Sequence, residues 1–361
     1  MQTPDYRSRL LASVQDLYSR YGYRPYKMNK FEEYDLYARN KDFLISDSVI
    51  TFTDRSGKLM ALKPDVTLSI VKNTADAAAV QKLFYQENVY RVSKGSDSFR
   101  ELLQVGLECL GKIDDYCICE VLILAAKSLR LIHPSCVLDI SHLGVVTQLL
   151  EAIAIPQEIH PLVFSLMGEK NLHELQSLCR EKGIPEKNIS LLLDLLKLSG
   201  SIQSTLPRLQ TLLAQLPALP AFTRFENLLS ALLETEEAGC FHIDFSVVDD
   251  VHYYNGVVFK GFVSGVPTSV LSGGQYDRLM KKMGRKSGAI GFALYTDELE
   301  RLWDEPNLYD VETVLLYPEG TPLSALNKKV AELTAQGQQV LALTAIPQDL
   351  RYQQLLRFEV N

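Results

Sequence analysis

The chain has 361 residues, a formal net charge of −7, 47% hydrophobic and 22% charged residues, the usage of an ordinary globular protein long enough for two or three domains. No apolar leader opens MQTPDYRSRL and no run approaches the roughly 18 apolar residues of a membrane span, which predicts a cytoplasmic protein without a membrane partner. An acidic balance without a Lys/Arg cluster argues against a broad nucleic-acid footprint, and six cysteines with one C-x-C and no C-x-x-C suggest neither a zinc site nor a disulfide framework.

In chain order, Thr3-Pro4 is placed to cap a helix in which Leu10, Leu11, Val14, Leu17, Tyr18 and Tyr21 recur at helical spacing, with Gly22 as its stop. Residues 34–39, then 49–53, the turn Asp54-Arg55-Ser56-Gly57 and residues 58–62 read as a hairpin leading into Lys63-Pro64-Asp65-Val66-Thr67, with a helix expected after Asp65. Residues 84–90 and 102–110 read as strands around a polar loop, 92–99, that lies at a surface or over a ligand. A helix over 119–132 and a strand over 136–141 follow. From about 156 to 237 the pattern turns to leucine-rich helical periodicity punctuated by Pro185, Pro207, Pro217 and Pro220, an inserted helical domain. Strands return at 241–247, which alternates strictly, at 257–264, at 268–271 ending on Gly273-Gly274, and at 289–294; Thr296 can then cap a helix carrying Glu298, Leu299 and Leu302. Beyond Pro306, a strand over 312–317, a helix over 323–336 stopped by Gly337 and a strand over 339–343 make one β-α-β unit.

The rest of the chain is organised around residues 85–111. Leu103, Val105, Leu107 and Cys109 fall on one face of this strand, and Gln104, Gly106 and Glu108 on the other. At about 3.3 Å per residue, Gln104 and Glu108 stand roughly 13 Å apart with a bare glycine between them. A glycine inside a strand often marks a close approach to the backbone, so the polar face reads as a shelf for a ligand; the alternative is a solvated face of an antiparallel sheet. His242 and His252 have no metal-ligand or triad partner in view and read as structural.

With these strands placed, residues 4–303 resemble the catalytic core of histidyl-tRNA synthetase. The resemblance is carried by Leu62-Lys63-Pro64-Asp65-Val66-Thr67, by Tyr90-Arg91 with Gln104-x-Gly106-x-Glu108-x-x-Gly111, by Tyr253-Tyr254-Asn255-Gly256, by Gly273-Gly274-Gln275-Tyr276-Asp277 and by Ala289-Ile290-Gly291-Phe292-Ala293. It implies an α+β fold: a class II aminoacyl-tRNA synthetase-like antiparallel sheet flanked by helices, with core segments 1–155 and 238–305 around a helical insertion, 156–237, and a truncated C-terminal unit, 306–361. By motif, it implies a histidine pocket of Asp65, Thr67, Gln104, Glu108, Tyr254 and Tyr276, with Arg91 as a possible anion contact, and no metal or cofactor.

Departures from the family decide the expected activity. Its arginine ahead of G-x-x-Y-Y aligns on Asp249, the acid after the motif 2 arginine is Ser93, and the arginine of G-G-R-Y-D is Gln275. At 4 Å and an effective dielectric near 20, exchanging a cation for an anion turns about 4 kcal/mol of attraction into a comparable repulsion toward ATP. For motif 3, an ungapped reading puts Glu298 where the family has arginine, and three inserted residues would put Arg301 there. Altered catalytic residues with a reduced C-terminal unit resemble the pattern of ATP phosphoribosyltransferase regulatory subunits. That implies a non-catalytic chain, a homodimer within a hetero-oligomer, joining a short-form catalytic subunit and conveying histidine feedback, with no tRNA partner. A degenerate synthetase that still adenylates histidine and a histidine-binding module for another partner are the alternatives.

Overall fold

A computed structural model of the chain describes residues 6–43, 49–92, 98–248, 253–299, 302 and 309–358. Thr3, Pro4, Ser93, Asp249, His252 and Arg301 lie outside the described residues. Helix α1 (Tyr6–Arg20) ends where Gly22 takes a positive φ of 82°, a conformation that favours glycine. Its Tyr18 is buried, shares a 2.9 Å hydrogen bond with Ser128 and meets the Phe84 and Phe292 rings edge-on.

Strands β1 (Arg24–Pro25), β2 (Phe31–Glu33), β3 (Thr51–Thr53) and β4 (Leu59–Leu62) come next. The expected hairpin is present, with Thr51 opposite Ala61 and Thr53 opposite Leu59, and its turn is closed by Asp54 accepting from the Ser56 and Lys58 amides at 2.8 Å. Residues 34–39 are not extended as expected. Tyr34–Ala38 forms the short helix α2, which buries Tyr37 in a core cluster against which Tyr34 and Leu36 also pack, and the third strand of this small sheet is β2. Helix α3 (Thr67–Asn73) starts where the Asp65 carboxylate accepts from the Leu68 amide at 3.0 Å.

The long hairpin β5 (Gln81–Val92) and β6 (Phe99–Gly111) is followed by helix α4 (Asp115–Ile132), strand β7 (Cys136–His142) and helix α5 (Leu143–Ala152). Helix α4 begins four residues before the expected 119 because Asp114 caps it, accepting from the Cys117 amide at 2.9 Å. Helices α6 (His160–Gly168), α7 (Leu172–Glu181), α8 (Glu186–Lys197), α9 (Ile202–Leu213) and α10 (Pro220–Leu233) form the helical stretch. This stretch also holds β8 (Ser199–Ser201), which pairs with β9 (Phe241–Asp244) and so adds an edge to the main sheet. Strand β9 stops short of the expected 247: the Asp244 carboxylate accepts from the Ser246 amide and hydroxyl at 2.8 and 2.6 Å and turns the chain.

Strands β10 (Val257–Val263), β11 (Leu271–Gln275) and β12 (Gly288–Tyr295), with helix α11 (Asp277–Lys282) between the last two, complete a nine-stranded sheet of order β1-β5-β6-β12-β11-β10-β7-β9-β8. All neighbours from β5 across to β7 are antiparallel, and β1 and β9 join in parallel. Gly273-Gly274 lies inside β11 and does not end it. A Cβ on Gly273 would sit 2.4 Å from the Gly291 carbonyl oxygen and one on Gly274 2.7 Å from the Tyr254 ring, so the glycines mark close packing. The Thr296 hydroxyl donates to the Leu103 carbonyl at 2.8 Å, Asp297–Leu299 is a 3-10 turn and Leu302 is helical, and residues 300 and 301 between them lie outside the described residues.

Residues 13–299 form one compact unit. In the other, β13 (Val311–Leu316), helix α12 (Leu323–Ala335) and β14 (Val340–Leu343) form the expected β-α-β, and β15 (Tyr352–Arg357) adds a third parallel strand on the other side of β13. Leu315, Leu326 and Leu333 are its buried core.

Candidate functional site

Strand alternation and register place the polar residues of β6 on a face shared with β12, β11 and β10. Glu108, Gly291, Gly274 and Val258 are cross-strand partners in one row, and Gly106, Ala293, Ser272 and Lys260 in the next. Helix α3 and the aromatic residues of two loops close over these rows, leaving a cavity of about 250 Å³. Asp65, Thr67, Gln104, Glu108, Tyr254 and Tyr276 all line it. Gln104 and Glu108 are 3% and 2% exposed, so the solvated reading does not apply to them.

Glu108 is the centre of the cavity. Thr67 donates to its Oε1 at 2.8 Å and Tyr276 to its Oε2 at 2.5 Å. Gly291 makes room for it, since a Cβ there would come within 1.8 Å of Oε2. Burial pushes the Glu108 carboxyl up from 4.5 to about 8; the Tyr276 and Thr67 hydrogen bonds work against that rise and the neighbouring Asp65 adds to it. Burial likewise raises Asp65, against the hydrogen bond it accepts from the Leu68 amide and the charge of Arg91. Two acidic groups thus face one enclosed space, and a cationic or N–H-donating ligand would relieve both.

Aromatic rings form the wall opposite. Tyr253 and Tyr254 meet edge-on with centroids 4.6 Å apart, Tyr253 stands 5.6 Å from Tyr276, and Phe43 stands 5.9 Å from Tyr253. The bare backbone at Gly106 admits no ligand, contrary to the expected shelf. Tyr85, its direct cross-strand partner, lays its hydroxyl over the glycine, 2.5 Å from where a Cβ would stand.

The remaining expected residues lie elsewhere. Arg91 does not line the cavity; its Nε donates to the Pro64 carbonyl at 3.3 Å and its Nη2 is buried without a hydrogen-bond partner among the described residues. Gln275 is used structurally, accepting from the Val257 amide at 2.9 Å. Glu298 accepts from the Thr268 hydroxyl at 2.5 Å, away from the cavity. His242 stands 3.9 Å from the Asp139 carboxylate on the paired strands β7 and β9. Sequence reasoning missed Lys260, Phe43, Ser272 and Tyr295 as lining residues. For Lys260 a signal existed: it falls two residues after Val258 in an otherwise apolar strand, on the face that alternation assigns to the site.

A model of the histidyl-tRNA synthetase family matches residues 3–299. The chain belongs to the histidyl-tRNA synthetase family. Within it, an ATP phosphoribosyltransferase regulatory subunit from Oceanobacillus iheyensis is 24% identical over 328 residues, covering 89% of this chain and 80% of that protein. An ATP phosphoribosyltransferase regulatory subunit/histidyl-tRNA synthetase from Bacillus halodurans has the same fold at a TM-score of 0.77 and 22% identity, covering 98% of this chain and 93% of that one. A chain of the ATP phosphoribosyl transferase complex from Thermotoga maritima superposes at a TM-score of 0.62 and 21% identity, covering 80% of this chain and 96% of its own. The large mixed sheet with its flanking helices is the class II fold of the family, and the resemblance to ATP phosphoribosyltransferase regulatory subunits spans most of the chain.

Proposed function

We propose that this chain is the regulatory subunit of ATP phosphoribosyltransferase, the first step of histidine biosynthesis, without catalytic activity of its own. It acts in the cytoplasm as a homodimer within a hetero-oligomer, supports a short-form catalytic subunit and conveys feedback from free histidine bound in the cavity. The observation that carries this reading is the convergence of the motif residues on one cavity in a chain whose sequence lacks the family's catalytic arginine. Six motif residues converge on one enclosed space with two buried acids, while the sequence has Asp249 in place of the family arginine and Gln275 is occupied with a backbone amide. The names of the relatives support it, as does the shared fold of a chain from the Thermotoga maritima complex.

Size and charge favour free histidine as the ligand. The cavity of about 250 Å³ is below the roughly 300–1,000 Å³ of pockets for drug-sized ligands, so it suits an amino acid better than a nucleotide. An ammonium group suits Asp65 and an imidazole N–H suits Glu108, with Tyr254 alongside. Calorimetry tests this: histidine should bind the pure chain, and Glu108→Ala should weaken binding about tenfold or more, the scale of one charge-assisted hydrogen bond. Unchanged binding by that variant would put the histidine elsewhere.

A further inference from the structure

The family arginine expected to meet a carboxylate is absent from this sequence, yet an amino acid brings a carboxylate into any site that takes it. Among the described residues lining the cavity, one side chain is cationic: Lys260 on β10. Arg91 does not line the cavity, and its Nε is taken by the Pro64 carbonyl at 3.3 Å.

Lys260 stands in the row of Gly106, Ala293 and Ser272, three strand spacings from Gly106 and one pleat repeat from the Glu108 row. At about 4.8 Å per strand and about 3.3 Å per residue, the Cα atoms of Glu108 and Lys260 are roughly 16 Å apart on the same face. Side chains stand roughly perpendicular to a sheet, so the two charged ends are from roughly 6 Å apart, leaning together, to roughly 16 Å apart, upright; histidine held at its imidazole and its carboxylate by two hydrogen bonds of about 2.8 Å spans about 12 Å, within that range. Ser272 and Tyr295, hydrogen-bonded to each other at 2.7 Å, line the cavity beside Lys260 and add hydroxyls at the same end. Burial lowers the lysine below its ordinary range.

We propose that Lys260 meets the α-carboxylate of the bound amino acid and gives the cavity its selectivity for a carboxylate-bearing ligand. This rests on the reading of the cavity as a histidine site. The experiment is calorimetry of the full chain and of Lys260→Met with L-histidine and with histamine, which lacks the carboxylate. The unmodified chain should prefer histidine by about tenfold or more, Lys260→Met should lose that preference while holding histamine as before, and Lys260→Arg should keep it. Thermal melts establish that each variant folds, with Lys260→Gln substituting should the methionine variant fail. A preference for histidine that survives in Lys260→Met would overturn the role of Lys260. Failure of the unmodified chain to bind either compound would overturn the histidine reading itself.

Discussion

Glu108 holds its proton to about pH 8, against an ordinary value of 4.5, because burial outweighs the hydrogen bonds from Tyr276 and Thr67. Between those two values the folded chain binds a proton that the unfolded chain has released, so this group's contribution is complete below pH 4.5 and is lost as pH rises through 8, at up to about 1.4 kcal/mol per pH unit. Glu108→Gln keeps the shape and cannot ionise. The stability of the glutamine variant relative to the unmodified chain should therefore grow from about pH 5 to about pH 8 and then level off in thermal melts; a difference that stays constant would contradict a titrating, buried Glu108. At this scale the sequence was informative where chemistry is written into spacing: the alternation of Gln104, Gly106 and Glu108 and the motif positions of Asp65, Thr67, Tyr254 and Tyr276 lead to residues that share one cavity. It was misleading at Gly106. What covers a bare glycine is decided by the direction of a side chain on the next strand, here Tyr85.

The elements were legible where local physics is strong. Helix α4 has a cap, an apolar stripe and a long run, and it starts four residues ahead of its apolar periodicity because Asp114 caps it. Asp114→Ala removes the acceptor for the Cys117 amide and should cost about 1 kcal/mol, read as a lower denaturant midpoint with an unchanged slope. An unaltered midpoint would show that another group takes over the cap. Weak elements escaped notice for the opposite reason. Strand β8 is three residues with a central glycine, and β15 is an edge strand with Gln353 and Gln354 exposed; neither has an apolar pattern of its own, and both exist through pairing with strands distant in sequence. The order of the main sheet is non-local in the same way, since β6 pairs with β12 across the whole helical stretch.

At the scale of the molecule, the proposal joins a ligand cavity in the unit of residues 13–299 to the activity of a different chain. That requires histidine to bind the inhibited arrangement of the assembled enzyme more tightly than the active one; a coupling of about 1–3 kcal/mol gives a 5- to 150-fold effect. Chemistry by the chain itself is the competing account, and histidine-dependent ATP–pyrophosphate exchange at background would set it aside, whereas robust exchange would restore it. The most direct test is phosphoribosyl-ATP formation by a short-form catalytic subunit from the same cells, measured alone, with this chain added, and with histidine added to both. The account predicts a slow or silent catalytic subunit that this chain activates and that histidine then inhibits, with inhibition blunted by Glu108→Ala. A rate that this chain leaves unchanged, with no complex formed, would contradict it.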